Sequence, residues 1–280
     1  MKNWQQNLSD YLRAIGYQKE SQKTILRACL QYDNWLKKPL ELSSRADIKS
    51  YHDYLDNRPN LRTQGGLSSK MIRDYLWAIA LLFKLLEQQD LILKNPLSGY
   101  PLPKVRNEKR EVLSLEEIYQ LYAIIETLKE AVILHLFYGL GLRRSEGEAL
   151  NLEDIDFKNN WLIVHKGKGG KGRNIPLTPS IKNDLKNYVL TERKKVQHPA
   201  FLLNRNHQRL RGASALLILK KLLHRAKIEK KIDLHCLRHS IATHLIHKGM
   251  PLEQVRDYLG HSHLESTQKY VHYDPAKLSL

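Results

Sequence analysis

The chain has 280 residues, 42% apolar and 27% charged, which excludes a disordered tract and allows one large domain or two ordinary ones. Lys and Arg number 46 against 29 Asp and Glu, a net charge of +17 spread over both halves, which points to a polyanionic partner, most commonly nucleic acid, without separating DNA from RNA. Two cysteines, Cys29 and Cys236, have no partner at metal-ligand spacing, the run 131–142 is too short to cross a bilayer, and the N-terminus lacks a signal-peptide core, so the expectation is a cytoplasmic protein with no disulfide, metal or membrane contact.

Residues 1–96 read as helical. Apolar positions recur at helical spacing in Leu8, Tyr11, Leu12 and Ile15, and again in Ile25, Cys29, Tyr32 and Leu36, with Pro39 beyond. A third, short helix covers 47–55 and stops near Asn57 and Pro59. Gly65-Gly66 breaks the chain, and Ser68 is an N-cap candidate for a long helix over 70–89, with Met71, Tyr75, Ala78, Ile79, Leu82, Leu85 and Leu86 on one side. Four helices make a small N-terminal domain, 1–98. Three prolines and a glycine within 95–104 cannot hold a helix, so 99–111 is expected to be a linker and 112–280 a second domain.

The second domain opens on Ser114-Leu-Glu-Glu117, a capping-box pattern. A buried helix is expected over 130–138, interrupted by Gly139-Leu140-Gly141, and a new helix over 143–150. Strand-like runs at 161–165 and 173–177 flank the glycine- and lysine-rich turn 166–172, which predicts a β-hairpin. Helices follow at 181–188, 216–226, 237–247 and 252–258, the last two closed by Gly249 and Gly260. The fold class expected is mainly α with a small β-sheet.

Four pieces carry chemistry. They are Arg143 with Glu146, the loop holding Lys166, Lys168, Lys171 and Arg173, the pair His235 and Arg238, and His261 followed nine residues later by Tyr270. Arginine and histidine donors without a carboxylate cluster suit a phosphate, not a metal or a sugar. Two guanidiniums, Arg143 and Arg238, can grip the non-bridging oxygens of a phosphodiester transition state with paired donors. His235 and His261 can add hydrogen bonds. Tyr270 can attack phosphorus, and a loop lysine can protonate the leaving 5′ oxygen. No metal or cofactor is required. Each group has a plainer reading. Tyr273 competes with Tyr270, any loop lysine can simply touch the DNA backbone, and Glu146 can be half of a surface ion pair. His239 reads as structural, and His244 and His247 as solvated or DNA-facing at most.

The order and spacing of these pieces, with Gly-Lys-Gly-x-Lys-x-Arg around Lys168 and Thr-Gln-x-Tyr at Tyr270, resemble the tyrosine recombinase (phage integrase) family, including its Xer-type members. The resemblance covers nearly the whole chain. It implies a two-domain DNA clamp, a four-helix core-binding (SAM-like) domain followed by a catalytic domain, that cleaves and rejoins duplex DNA through a 3′-phosphotyrosyl link and exchanges strands between two sites. It favours Lys168 as the general acid and gives Glu146 an orienting role. It implies a monomer when free and a homotetramer on synapsed DNA, and leaves open whether an accessory DNA-bending or regulatory protein is a further partner. Lys70, Arg73, Arg205, Arg209 and Arg211, read as cations without fixed pairing, join Lys166, Lys171 and Arg173 as expected phosphate contacts. Departures from the family pattern are Gly172, where Glu is common, and Arg144 and Glu148, where apolar residues are usual. Gly147 inside a helix is expected to cost about 1 kcal/mol relative to Ala. A type IB topoisomerase and a non-enzymatic DNA-binding protein are the rival readings.

Overall fold

The computed structural model describes residues 4–60, 65–105, 111–165, 172–193 and 196–260. The chain forms two compact units that divide between Glu108 and Lys109. The described residues are mainly helical with one three-stranded sheet, the fold class the sequence predicts.

The first unit holds α1 (Trp4–Ala14), α2 (Lys19–Leu36), α3 (Arg45–Asn57) and α4 (Ser69–Gln88). Caps set their starts: the Ser44 side chain accepts from the Asp47 amide, and the Asp47 carboxylate accepts from the Ser44 amide. Ser68 caps α4. The core is aliphatic and aromatic, with Leu8, Leu12, Tyr32, Tyr51, Leu76 and Phe83 fully buried and the Tyr32 and Tyr51 rings meeting edge-on at 4.9 Å. Two positions of the expected stripes fall outside it. Ile15 is exposed because α1 ends at Ala14, and Met71 is exposed because the buried stripe of α4 runs through Ile72, Leu76 and Phe83. Asn95 donates to Ala80 O and accepts from the Leu97 amide, and Leu97, Tyr100 and Leu102 pack on the same core.

The second unit begins with α5 (Leu115–Ala123), capped by the Ser114–Glu117 box, then α6 (Leu128–Leu134). The expected helix over 130–138 is not continuous: residues His135–Gly139 form a π-helical turn. Two buried histidines brace it. His135 bonds Tyr122 and Asp184, and His244 bonds the Tyr138 hydroxyl and Leu113 O. α7 (Arg144–Ala149) follows, then a sheet of β1 (Ile155–Asp156), β2 (Trp161–Val164) and β3 (Arg173–Pro176) in antiparallel order β1-β2-β3. The hairpin is present with Leu162 opposite Ile175 and Val164 opposite Arg173. The two-residue β1 is too short to leave an alternating pattern in sequence. Pro176 is accommodated because β3 is an edge strand. α8 (Pro179–Leu190), α9 (Gly212–Arg225), α10 (Leu234–His247) and α11 (Leu252–Leu259) complete the unit, the first three starting two to four residues earlier than their apolar stripes suggest. α10 starts early because the Asp233 side chain accepts from the amides of His235 and Cys236.

Candidate active site

Glu146 is the centre around which the basic residues gather. It is the third residue of α7, and its side chain is 3% exposed. Its carboxylate reaches back to the Arg143 amide at 2.9 Å, as the acid of a capping box does, and takes the Arg143 Nη1 donor at 2.6 Å. From β3, Arg173 grips the same carboxylate with Nη1 at 3.1 Å and Nη2 at 2.8 Å. From α10, Arg238 comes within 4.0 Å. Burial pushes the Glu146 carboxyl up, but the Arg173 and Arg143 hydrogen bonds outweigh it and hold the pKa at about 2. The surface ion pair considered for Arg143 and Glu146 is therefore a buried one.

The same three arginines share a second partner. The C-terminal end of α11 leaves carbonyls without intrahelical donors, and three consecutive ones each take a different guanidinium. Arg173 Nε donates to Tyr258 O at 3.0 Å, Arg238 Nη2 to Leu259 O at 2.5 Å, and Arg143 Nη2 to Gly260 O at 2.6 Å. Arg238, 1% exposed, also donates to Gly141 O. The negative end of the helix dipole and one carboxylate thus orient three cations within one small volume. Three guanidiniums about a single carboxylate side chain leave an excess of positive charge, the condition for holding a phosphate.

His235 lies in the first turn of α10, one turn before Arg238, half-buried, with its ring edge-on to that of His239 at 4.6 Å. Lys166, Lys168, Lys171, His261 and Tyr270 lie outside the described residues.

The structure corrects several residue readings. Arg173, expected as a DNA contact, is 8% exposed and donates from all three nitrogens to protein acceptors. Arg209 is not without fixed pairing: it donates to Glu148 O, Leu150 O and Asn151 Oδ1. Lys70 is paired with Asp74 at 2.7 Å on the surface of α4. Arg73, Arg205 and Arg211 are exposed. His244, read as solvated or DNA-facing at most, is 3% exposed, and burial lowers its pKa to about 4.

The departures in α7 have local reasons. A Cβ at Gly147 would sit 2.7 Å from Phe137 Cζ, so glycine lets α7 close on the π-helical turn. The Glu148 carboxylate accepts from the Gly212 amide at 2.9 Å at the start of α9, and the Arg144 side chain lies across the same glycine. These charged residues join α7 to α9.

The phage integrase family model matches residues 111–277, and the model of the phage integrase N-terminal SAM-like domain matches residues 4–93. The chain belongs to the phage integrase family. It is a tyrosine recombinase, an enzyme that breaks and rejoins DNA strands in site-specific recombination. A tyrosine recombinase XerC of Pediococcus pentosaceus is 32% identical over 255 residues, 86% of this chain and 82% of that one. A tyrosine recombinase of Pseudothermotoga lettingae is 29% identical over 276 residues, 95% and 92% of the two chains. The Tn1549 transposon integrase, solved in complex with circular intermediate DNA, shares the fold with a TM-score of 0.76 at 21% identity, covering 99% of each chain. No described helix of the recombinase is long and apolar enough to cross a membrane.

Proposed function

We propose that Arg143 and Arg238 hold the scissile phosphate of duplex DNA, with His235 and His261 as further donors, Tyr270 as nucleophile and Lys168 as general acid. The observation that carries this reading is the convergence of the Arg143 and Arg238 guanidiniums on Glu146, with His235 one helical turn from Arg238. The Tyr270 hydroxyl attacks phosphorus and gives up its proton to solvent water. The bond from phosphorus to the 5′ oxygen breaks, and that oxygen takes a proton from Lys168. The product is a 3′-phosphotyrosyl link and a free 5′ hydroxyl, and attack by the 5′ hydroxyl of another strand reverses the step. The guanidiniums stabilise the charge that builds on the non-bridging oxygens. Arg73, Arg205 and Arg211, together with Lys70, Lys166 and Lys171, contact the backbone and fix register without reading sequence.

Duplex DNA is the partner this chemistry needs, and the similar Tn1549 integrase is a DNA complex. Strand exchange between two sites takes two cleaving subunits per site. The assembly is therefore a tetramer on synapsed DNA formed from free monomers, acting in the cytoplasm; an accessory DNA-bending or regulatory protein is a further partner only if recombination by the purified enzyme requires one. The deciding experiment incubates a nicked suicide duplex with the wild type, Tyr270→Phe and Tyr273→Phe, and resolves covalent adducts on a denaturing gel. Adducts are expected from the wild type and Tyr273→Phe alone. An adduct from Tyr270→Phe would overturn the assignment.

A further inference from the structure

Arg173 has the donor set of a phosphate ligand and the surroundings of a buried strut. Its three side-chain nitrogens are committed to the Glu146 carboxylate and to Tyr258 O, and its side chain is 8% exposed. It stands at the first position of β3, where the chain returns from the lysine loop, opposite Val164. Gly260 is packed against it: a Cβ there would lie 2.9 Å from both Arg173 Cδ and Nη1, at a backbone φ of +64° that already favours glycine. One side chain thus touches the strand behind the lysine loop, the carboxylate that binds Arg143, and the last residues of α11 before His261.

We infer that Arg173 is a positioning residue for strand cleavage: through the Glu146 carboxylate it sets the Arg143 guanidinium, and through Tyr258 O and Gly260 it fixes the end of α11 against β3. The inference rests on the assignment of Arg143 to the phosphate grip. Arg143 has two described partners, Glu146 and Gly260 O; Arg173 grips the first and packs beside the residue that carries the second. A carboxylate gripped on both oxygens by a planar fork cannot swing, so the Arg143 donor that lies 2.6 Å from it keeps one direction. Lysine in place of Arg173 would supply the charge without the fork and could not donate to the carboxylate and Tyr258 O at the same angles.

The test is a double-mutant cycle on full-length protein. Arg173→Gln, Glu146→Gln, the double variant, Arg173→Lys and Arg143→Ala are compared for affinity on a single site and for cleavage rate at saturating suicide substrate. Arg173→Gln should bind like the wild type and cleave roughly 10- to 100-fold more slowly, by analogy with the loss when the hydrogen-bond partner that orients a metal ligand is removed. The double variant should be no slower than the slower single one, because the two residues act in series. Arg173→Lys should recover part of the rate. If Arg173→Gln does not fold, Arg173→Lys carries the test: with a wild-type melting temperature it should still cleave several-fold more slowly, and a wild-type rate would overturn the inference. Weakened binding with an unchanged saturating rate makes Arg173 a DNA contact, and multiplicative losses in the double variant make it independent of Glu146; either result sinks the proposal. Should Arg143→Ala also cleave at the wild-type rate, the phosphate-grip reading fails first; if Arg173→Gln alone does, only the present inference falls.

Discussion

The two units of the recombinase bury different interiors. In the first, the buried polar residue is Gln22, whose amide donates to Tyr17 O, and the rest of the described core is aliphatic, aromatic or Cys29. In the second, Arg238, Glu146, Arg193, His135, His244 and Asp154 are all buried. Each is tied to named acceptors or donors, as Arg193 is to the carbonyls of Val196, His198 and Ala200. Apolar burial contributes stability in proportion to area. A buried ion contributes little net stability but fixes a direction, because moving it would strand a charge. The first unit is therefore built for cohesion and the second for geometry.

Four substitutions and a pH titration bear on that contrast. Phe83→Ala in the first unit should cost about 3–5 kcal/mol. The loss should be read by hydrogen exchange as lost protection in α2 and α4, with α10 little changed; equal loss in α10 would mean that the units share one cooperative core. Lowering the pH should act on the second unit first. His244 has its pKa depressed from 6.5 to about 4, so the neutral form is favoured by folding. Its contribution is complete above pH 6.5 and is lost as the pH falls towards 4, on the order of 3 kcal/mol. Glu146, lowered from 4.5 to about 2, keeps its contribution above pH 4.5 and loses it below. His244→Gln should flatten the stability profile between pH 6.5 and 4 and leave the acid limb; an unchanged profile would remove His244 as the source. Gly147→Ala should destabilise, since about 1–3 kcal/mol of overpacking against Phe137 exceeds the roughly 1 kcal/mol gain in helix propensity. A more stable variant in thermal melts would show that Phe137 yields. The smallest effect on folding belongs to Lys70→Ala, about 0.5 kcal/mol or less for an exposed pair. Its DNA affinity should fall with a shallower salt dependence, and an unchanged slope would take Lys70 off the DNA.

The same contrast explains what could be read in advance. Leu8, Leu12, Tyr32 and Ile79 declare their helices because an apolar face repeats with the helix, and Ser68 and Ser114 declare helix starts because capping is local. The grouping of Arg143, Glu146, His235 and Arg238 was legible through the family pattern. The partners of Arg173 and Arg209 were not, since a buried arginine and a surface one look alike until the acceptor carbonyls of distant segments are known. His244 was misread for the same reason: Tyr138 and Leu113 lie more than a hundred residues away. Nor does any local pattern announce that Gly147 faces Phe137 or that Glu148 caps α9.

The row of carbonyls at Tyr258, Leu259 and Gly260 has a consequence for how tightly DNA is held. An arginine side chain free in water carries about 2 kcal/mol of rotamer entropy, and a ligand that must order it loses that much affinity. Here Arg143, Arg173 and Arg238 are already confined by the end of α11 and by Glu146. Their ordering is completed when the protein folds and is subtracted from folding stability. If Arg143 and Arg238 grip the phosphate as proposed, the free energy of those two contacts is then left for the bound DNA, with little of it consumed in immobilising the arginines.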